Sequence, residues 1–238
     1  MAKQEREYFV GRRDNSIWYE LNGSYYARAI PGSIKQPEAT KMRSTNFAIA
    51  TRVGRTMRCL LLQVIPFSKD KKMQNRFGKA IMKWLQLNMP EQLLPATSQP
   101  FIQNFQFNNE CTLKERWKIA LPVTRPGDDM LQLHIPAFTP EQGIAAPAHT
   151  TLVTCTITAA ACTLENGADA CNFIKTLSIP YTSIEIPAQI IDLPITTPPG
   201  SLLVVAVMLK YTLSKKGRLK PTTNIAFMPS AIIAAMYV

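Results

Sequence analysis

The spacing of apolar residues changes character along this 238-residue chain. Near its start, Ser16-Ile17-Trp18-Tyr19-Glu20 and Tyr25-Tyr26-Ala27-Arg28-Ala29 flank Leu21-Asn22-Gly23-Ser24. Asn-Gly accepts the positive φ values of a type I′ turn, whose twist matches paired strands, so the segment predicts a β-hairpin. Its aromatics Trp18, Tyr19, Tyr25 and Tyr26 suit a half-buried pleated surface and are assigned mostly to core. Pro31-Gly32 breaks the hairpin pattern. From Glu38 to Val64, Met42, Ile49, Val53, Met57, Leu60 and Val64 recur at three- and four-residue steps, which predicts a long helix with one apolar face, ended by Pro66. A second helix is expected from Lys69 to Gln86, with Ser68 as N-cap and Met73, Phe77, Ala80, Ile81 and Trp84 on its apolar face.

Beyond residue 97 the period becomes two. Trp117, Ile119 and Leu121 alternate, as do Leu131, Leu133 and Ile135. Val153, Cys155, Ile157, Ala159 and Ala161 alternate with Thr154, Thr156 and Thr158, and Leu203 to Leu213 repeats the pattern. Turns are expected at Arg125-Pro126-Gly127-Asp128, Glu165-Asn166-Gly167 and Lys215-Lys216-Gly217. The proline-dotted stretch Glu185–Gly200 suits an edge strand plus loop, and Ala231–Val238 a paired terminal strand. Some seven or eight strands result, near the number in an immunoglobulin-like sandwich. The expected class is therefore α+β: a basic hairpin-helix region at 1–96, then an antiparallel β-sandwich, immunoglobulin-like, at 97–238.

Charge sharpens this division. The net charge is +11, and residues 1–90 hold 17 Lys/Arg against 6 Asp/Glu, whereas the remainder holds 10 of each. Excess positive charge confined to one region points to an anionic partner, nucleic acid or an acidic surface. Within the second helix Lys72, Arg76, Lys79 and Lys83 stand at i, i+4, i+7 and i+11, a stripe spanning roughly 60°. Lys41, Arg52 and Arg55 form a comparable row on the first helix, and Arg12, Arg13 and Arg28 could extend the surface. Such a stripe suits phosphate contact along a nucleic-acid backbone, DNA or RNA, with the hairpin aromatics able to stack on bases. The competing interpretation is a solvated helix face.

Catalytic and metal-binding patterns are missing. The two histidines, His134 and His149, have no partner at ligand spacing, and no G-x-S-x-G, Walker loop or G-x-G-x-x-G occurs. Asp128-Asp129 reads as turn chemistry beside Pro126-Gly127. No enzymatic activity and no cofactor are expected. The longest apolar run, Leu202–Leu209, is under half of the ~20 residues a membrane helix needs, and reads as a buried strand. With a charged start and five cysteines outside any CxxC pair, a cytoplasmic protein with reduced thiols and no membrane contact is expected.

The stretch Gly11–Leu61 resembles the opening of a family of uncharacterised bacterial proteins, through Gly11, Tyr19, Gly23, Tyr26, Arg28 and Pro31. Family members commonly carry another glycine where this chain has Asp14-Asn15-Ser16. The resemblance implies an N-terminal hairpin, a basic helix, a C-terminal β-domain and a bacterial cytoplasmic setting, and it supplies no catalytic residues. A structural or assembly subunit, capsid-like or filament-forming and self-associating through its β-sandwich, is the alternative to a nucleic-acid-associated protein.

Overall fold

The computed structural model describes residues 3–5, 8–30, 32, 37–66, 71–87, 102–165, 167, 169–215 and 217–238. The expected N-cap Ser68, the boundary after residue 96, the side chain of Met42 and the turn residues Asn166 and Lys216 lie outside these. Contacts divide the chain into two compact units, Met1–Arg43 and Ser44–Val238.

The first unit holds an antiparallel sheet of four strands in sequential order: β1 (Lys3–Glu5), β2 (Tyr8–Arg13), β3 (Ser16–Leu21) and β4 (Ser24–Ala29). The expected hairpin is β3–β4. Asn22 and Gly23 both have positive φ (51° and 78°), the signature of the type I′ turn. No described residue of this unit is buried. Trp18, Tyr19 and Tyr26 are exposed, which corrects their assignment to core. Tyr19 and Tyr26 are cross-strand partners whose rings stack 5.8 Å apart, so they cover one another.

The second unit is layered around a five-stranded antiparallel sheet. Helix α1 (Glu38–Leu60) enters it and runs into a 3₁₀ turn at Leu62–Val64, and α2 (Lys71–Leu87) follows. The one-turn helices α3 (Leu113–Arg116) and α4 (Pro140–Gly143) lie among the strands. The strands are β5 (Val123–Gly127), β6 (Met130–Ile135), β7 (Thr150–Thr163), β8 (Cys171–Pro180), β9 (Gln189–Pro194), β10 (Ser201–Lys215), β11 (Arg218–Pro221) and β12 (Ser230–Tyr237). The large sheet runs β11-β10-β7-β8, with β12 pairing the other stretch of the same β10 edge; β5-β6-β9 is a smaller sheet with β9 at its edge.

Both faces of the large sheet are covered. Leu203, Val205, Val207 and Leu209 of β10 and Val153, Cys155 and Ile157 of β7 share a core with Leu131, Leu133, Ile191 and Leu193 of the small sheet. The alternate positions Leu202, Val204, Ala206, Met208, Ala160 and Cys162 share a second core with Val53, Met57, Leu61, Met73, Phe77, Ile81 and Trp84 of the helices. Two-sided burial explains why Leu202–Leu209 is an unbroken apolar run. It also explains why Thr156 and Thr158, expected on a polar face, are buried.

Two local expectations are corrected. Residues 117–121 form no strand: a capping box between Thr112 and Glu115 starts α3, and Trp117 ends it with a single bridge to Ile144. Their alternation still places Trp117 in the core, with Ile119 and Leu121 packed against it. Arg125-Pro126-Gly127 belongs to β5 around an irregularity in its pairing, and the turn proper is Asp128-Asp129.

Candidate nucleic-acid interface

Since the apolar faces of α1 and α2 are turned to the sheet, their opposite faces are left to solvent. Val53, Met57, Phe77, Ile81 and Trp84 are fully buried, and each contributes about 1.5–3 kcal/mol by leaving water. Polar contacts pin the end of α1. Asn172 donates from its amide to the Leu60 carbonyl (2.9 Å), the Thr56 hydroxyl donates to the Gly167 carbonyl (3.3 Å), and the Ser230 hydroxyl donates to the Val64 carbonyl. The helices also pack closely at Gly54, where an added Cβ would come within 3.3 Å of Ile81 Cδ1. Basic side chains on this surface are thus carried by a fixed frame.

The sequence stripe is partly dissolved by the structure. Lys72, Lys79 and Lys83 are exposed. Arg76 is half-buried and engaged: its guanidinium donates to the carbonyls of Gln106 (3.0 Å) and Phe107 (3.4 Å) and lies 5.2 Å from the Phe105 ring centroid. Phe105 and Phe107 in turn pack on Phe77, at centroid distances of 5.1 and 5.7 Å. Counted at about 100° per residue from Lys72, Arg76 is rotated by roughly 40°, to one margin of the stripe, where segment 102–108 lies. Its charge is used to clamp that segment to α2.

On α1, Arg52 and Arg55 are exposed, and Lys41, in the helix's first turn, is exposed within the first unit. Arg12, Arg13 and Arg28 are exposed on the four-stranded sheet of that unit. Sequence reasoning missed Arg58. Steps of three residues fall about 60° short of a full turn, so Arg52, Arg55 and Arg58 drift around the helix. This brings Arg58 to a groove of about 470 Å³ between α1 and α2, lined also by Phe47, Thr51, Gln74, Asn75, Gly78, Lys79 and Met82. Burial pulls the Arg58 guanidinium below its ordinary pKa, with Arg55 adding to this and Cys59 opposing it, but an arginine so placed is still a cation at neutral pH. A smaller hollow of about 190 Å³ adjoins it, sharing Arg58 and Gln74 and adding Arg55 and Cys59. The three-residue spacing was the available signal for Arg58; nothing in the sequence marked Phe47, which is 65% exposed at the groove.

Gly78 lies mid-helix, where glycine costs up to about 1 kcal/mol relative to alanine. Unlike Gly54, it has nothing within 4 Å of an added Cβ. No packing contact requires it, and its effect is to leave the groove open beside Lys79.

Among the described residues, no three His, Cys, Asp or Glu side chains converge as a metal site would need, and no helix is long and apolar enough to cross a membrane. His134 faces a neighbouring strand, its Nε2 lying 2.8 Å from the Thr124 hydroxyl. Compared with known proteins, the chain matches no family model, no curated protein and no solved structure.

Proposed function

We propose that this is a non-enzymatic binding protein that associates with nucleic acid through the outer surface of α1 and α2. The observation that carries the reading is a set of exposed cations on a fixed frame, in two helices almost free of acidic residues. Beyond Glu38 at its start, α1 contains no acidic residue, and α2 contains none, while Arg52, Arg55, Lys72, Lys79 and Lys83 are exposed. Cations arranged along a surface bind phosphates by releasing condensed counterions, which gives affinity without sequence preference. The groove adds Arg58 and the exposed ring of Phe47, a platform on which an unpaired base could stack. The two sheets act as scaffold, an immunoglobulin-like sandwich whose eight strands lie between the seven and nine of the known immunoglobulin types.

Fluorescence anisotropy with labelled duplex and single-stranded oligonucleotides tests this. The three exposed lysines of α2 alone contribute a slope of about −2.7 in log K against log[salt] for duplex, and about −2.1 for a single strand. Phe47→Ala weakens single-strand binding by about 1–3 kcal/mol and leaves duplex binding unchanged if the ring stacks on a base. Absence of salt-dependent binding to either oligonucleotide contradicts the proposal.

One observation favours an assembly subunit as a second reading: among the described residues β8, ten residues long, pairs with β7 alone and closes one side of the large sheet as an edge. Edges of this kind invite strand addition from another copy. Large uniform particles in solution, with an absorbance ratio at 260 and 280 nm showing packaged nucleic acid, would favour this reading over a nucleic-acid-bound monomer or dimer.

A further inference from the structure

A second basic surface lies away from the helices, where the chain's charge balance conceals it. Residues 193–238 contain five Lys/Arg and no Asp or Glu. Three of the five, Lys215, Arg218 and Lys220, fall in the ribbon formed by the end of β10 and β11. In its register Lys215 stands directly opposite Arg218, and Leu213 opposite Lys220. Opposed residues, and residues two apart, share a face, so Lys215, Arg218 and Lys220 project from one side. It is the side of β10 that carries Leu203 through Tyr211 toward the small sheet, opposite to the side covered by α1 and α2.

Like charges directly opposite one another destabilise a strand pair. The three cations, with His149 and Ser214, line an open cleft of about 840 Å³, and no salt bridge among the described residues involves them. His149 is fixed at the foot of the ribbon. It occupies the left-handed region (φ 64°) in a turn where both the amide and the hydroxyl of Thr150 donate to the Pro147 carbonyl, and its own carbonyl accepts from the Ser214 amide (2.9 Å). The volume falls in the range of small-ligand sites, and the lining is cationic.

We propose that this cleft is a binding site for closely spaced phosphate groups, separate from the helix surface. Two or three phosphates placed between Lys215, Arg218 and Lys220 would supply counter-charge, and Arg218 can donate two parallel N–H bonds to one phosphate. A free oligophosphate and the backbone of a nucleic acid share this chemistry, so the test carries both.

Inorganic tripolyphosphate and, separately, a short oligonucleotide are titrated calorimetrically into the full chain. Lys215→Glu turns the repulsive cross-strand pair into an attractive one, so it is expected to raise the thermal midpoint while weakening tripolyphosphate binding more than about tenfold. Arg218→Gln, which introduces no new charge, is expected to weaken binding by a similar factor. The triple variant Lys72→Gln/Lys79→Gln/Lys83→Gln is expected to bind tripolyphosphate as the native chain does, so this proposal and the helix proposal fail separately. Losses confined to tripolyphosphate identify a free oligophosphate ligand, and losses in both titrations extend the site to a nucleic-acid backbone. No binding by the native chain, unchanged affinity in both cleft variants, or loss in the helix variant instead overturns the inference.

Discussion

Two layers cover the central sheet of the second unit, and they solve the same packing problem with different outer surfaces. The helical layer buries Val53, Met57, Phe77, Ile81 and Trp84 against one face; the small sheet β5-β6-β9 buries Leu131, Leu133, Ile191 and Leu193 against the other. On the small sheet, outward charges are few and engaged: Arg125 meets Asp128 at 3.3 Å, and the Gln132 amide donates to the Asp192 carboxylate at 3.0 Å. On the helices a row of cations is exposed, and Glu38 is the single acid in the sequence of α1 and α2. Covering a sheet therefore does not call for a charged outer surface. The inner faces do the packing, so packing does not account for the basic exterior of α1 and α2.

The largest expected effects test the shared part of this comparison. Trp84→Ala and Leu133→Ala, one in each layer, should each destabilise the fold, by about 3–5 and 2–5 kcal/mol respectively, in urea unfolding. If either costs under 1 kcal/mol, its layer is not a true cover.

Alkali probes the two cores through one thiol in each. Cys155 lies in the core facing the small sheet and Cys162 in the core facing the helices; burial pushes both thiols up to about 12 from 9.0. Because the folded state holds the neutral thiol, this contribution is complete below pH 9.0. It is lost progressively as pH rises from there toward about 12, since only the unfolded chain ionises freely in that window. Cys155→Ala and Cys162→Ala should each flatten the alkaline decline in stability, and an unchanged profile in both would contradict the dry interior of the two cores.

Smaller effects separate the roles within α2. Arg76→Ala should cost about 1–3 kcal/mol, because it leaves the Gln106 and Phe107 carbonyls without their donor. Lys79→Ala should stay within about 0.5 kcal/mol. Equal costs would mean that Arg76 is as solvated as its neighbours. Gly78→Ala should stabilise by about 0.4–1 kcal/mol, since an added Cβ meets nothing within 4 Å.

Much of the local structure was legible in the sequence because local chemistry decides it. Asn22-Gly23 placed the β3–β4 turn, and apolar periodicity with Pro66 bounded the helices to within a few residues. What the helices pack against was harder to read, since periodicity reports that a face is apolar and not what covers it. The clue lay in β10, where Leu202–Leu209 lacks alternation and so requires cover on both sides. Strands β1 and β2 escaped notice because charged residues dominate Lys3–Arg13. At 117–121 alternation misled, because Thr112 and Glu115 form a capping box whose side-chain bonds select a helical turn. Of the basic stripe, spacing revealed the common face of Lys72, Arg76, Lys79 and Lys83, but the capture of Arg76 by carbonyls thirty residues away depends on tertiary contact.

The helix surface is tested most directly by the salt dependence of duplex binding in native chain and in Lys72→Gln/Lys79→Gln/Lys83→Gln, measured side by side. If the basic exterior contacts phosphates, the variant binds more weakly at low salt and its log–log slope is shallower by about 2.7. An unchanged slope, with binding intact, would show these lysines to be solvated surface and contradict the assignment.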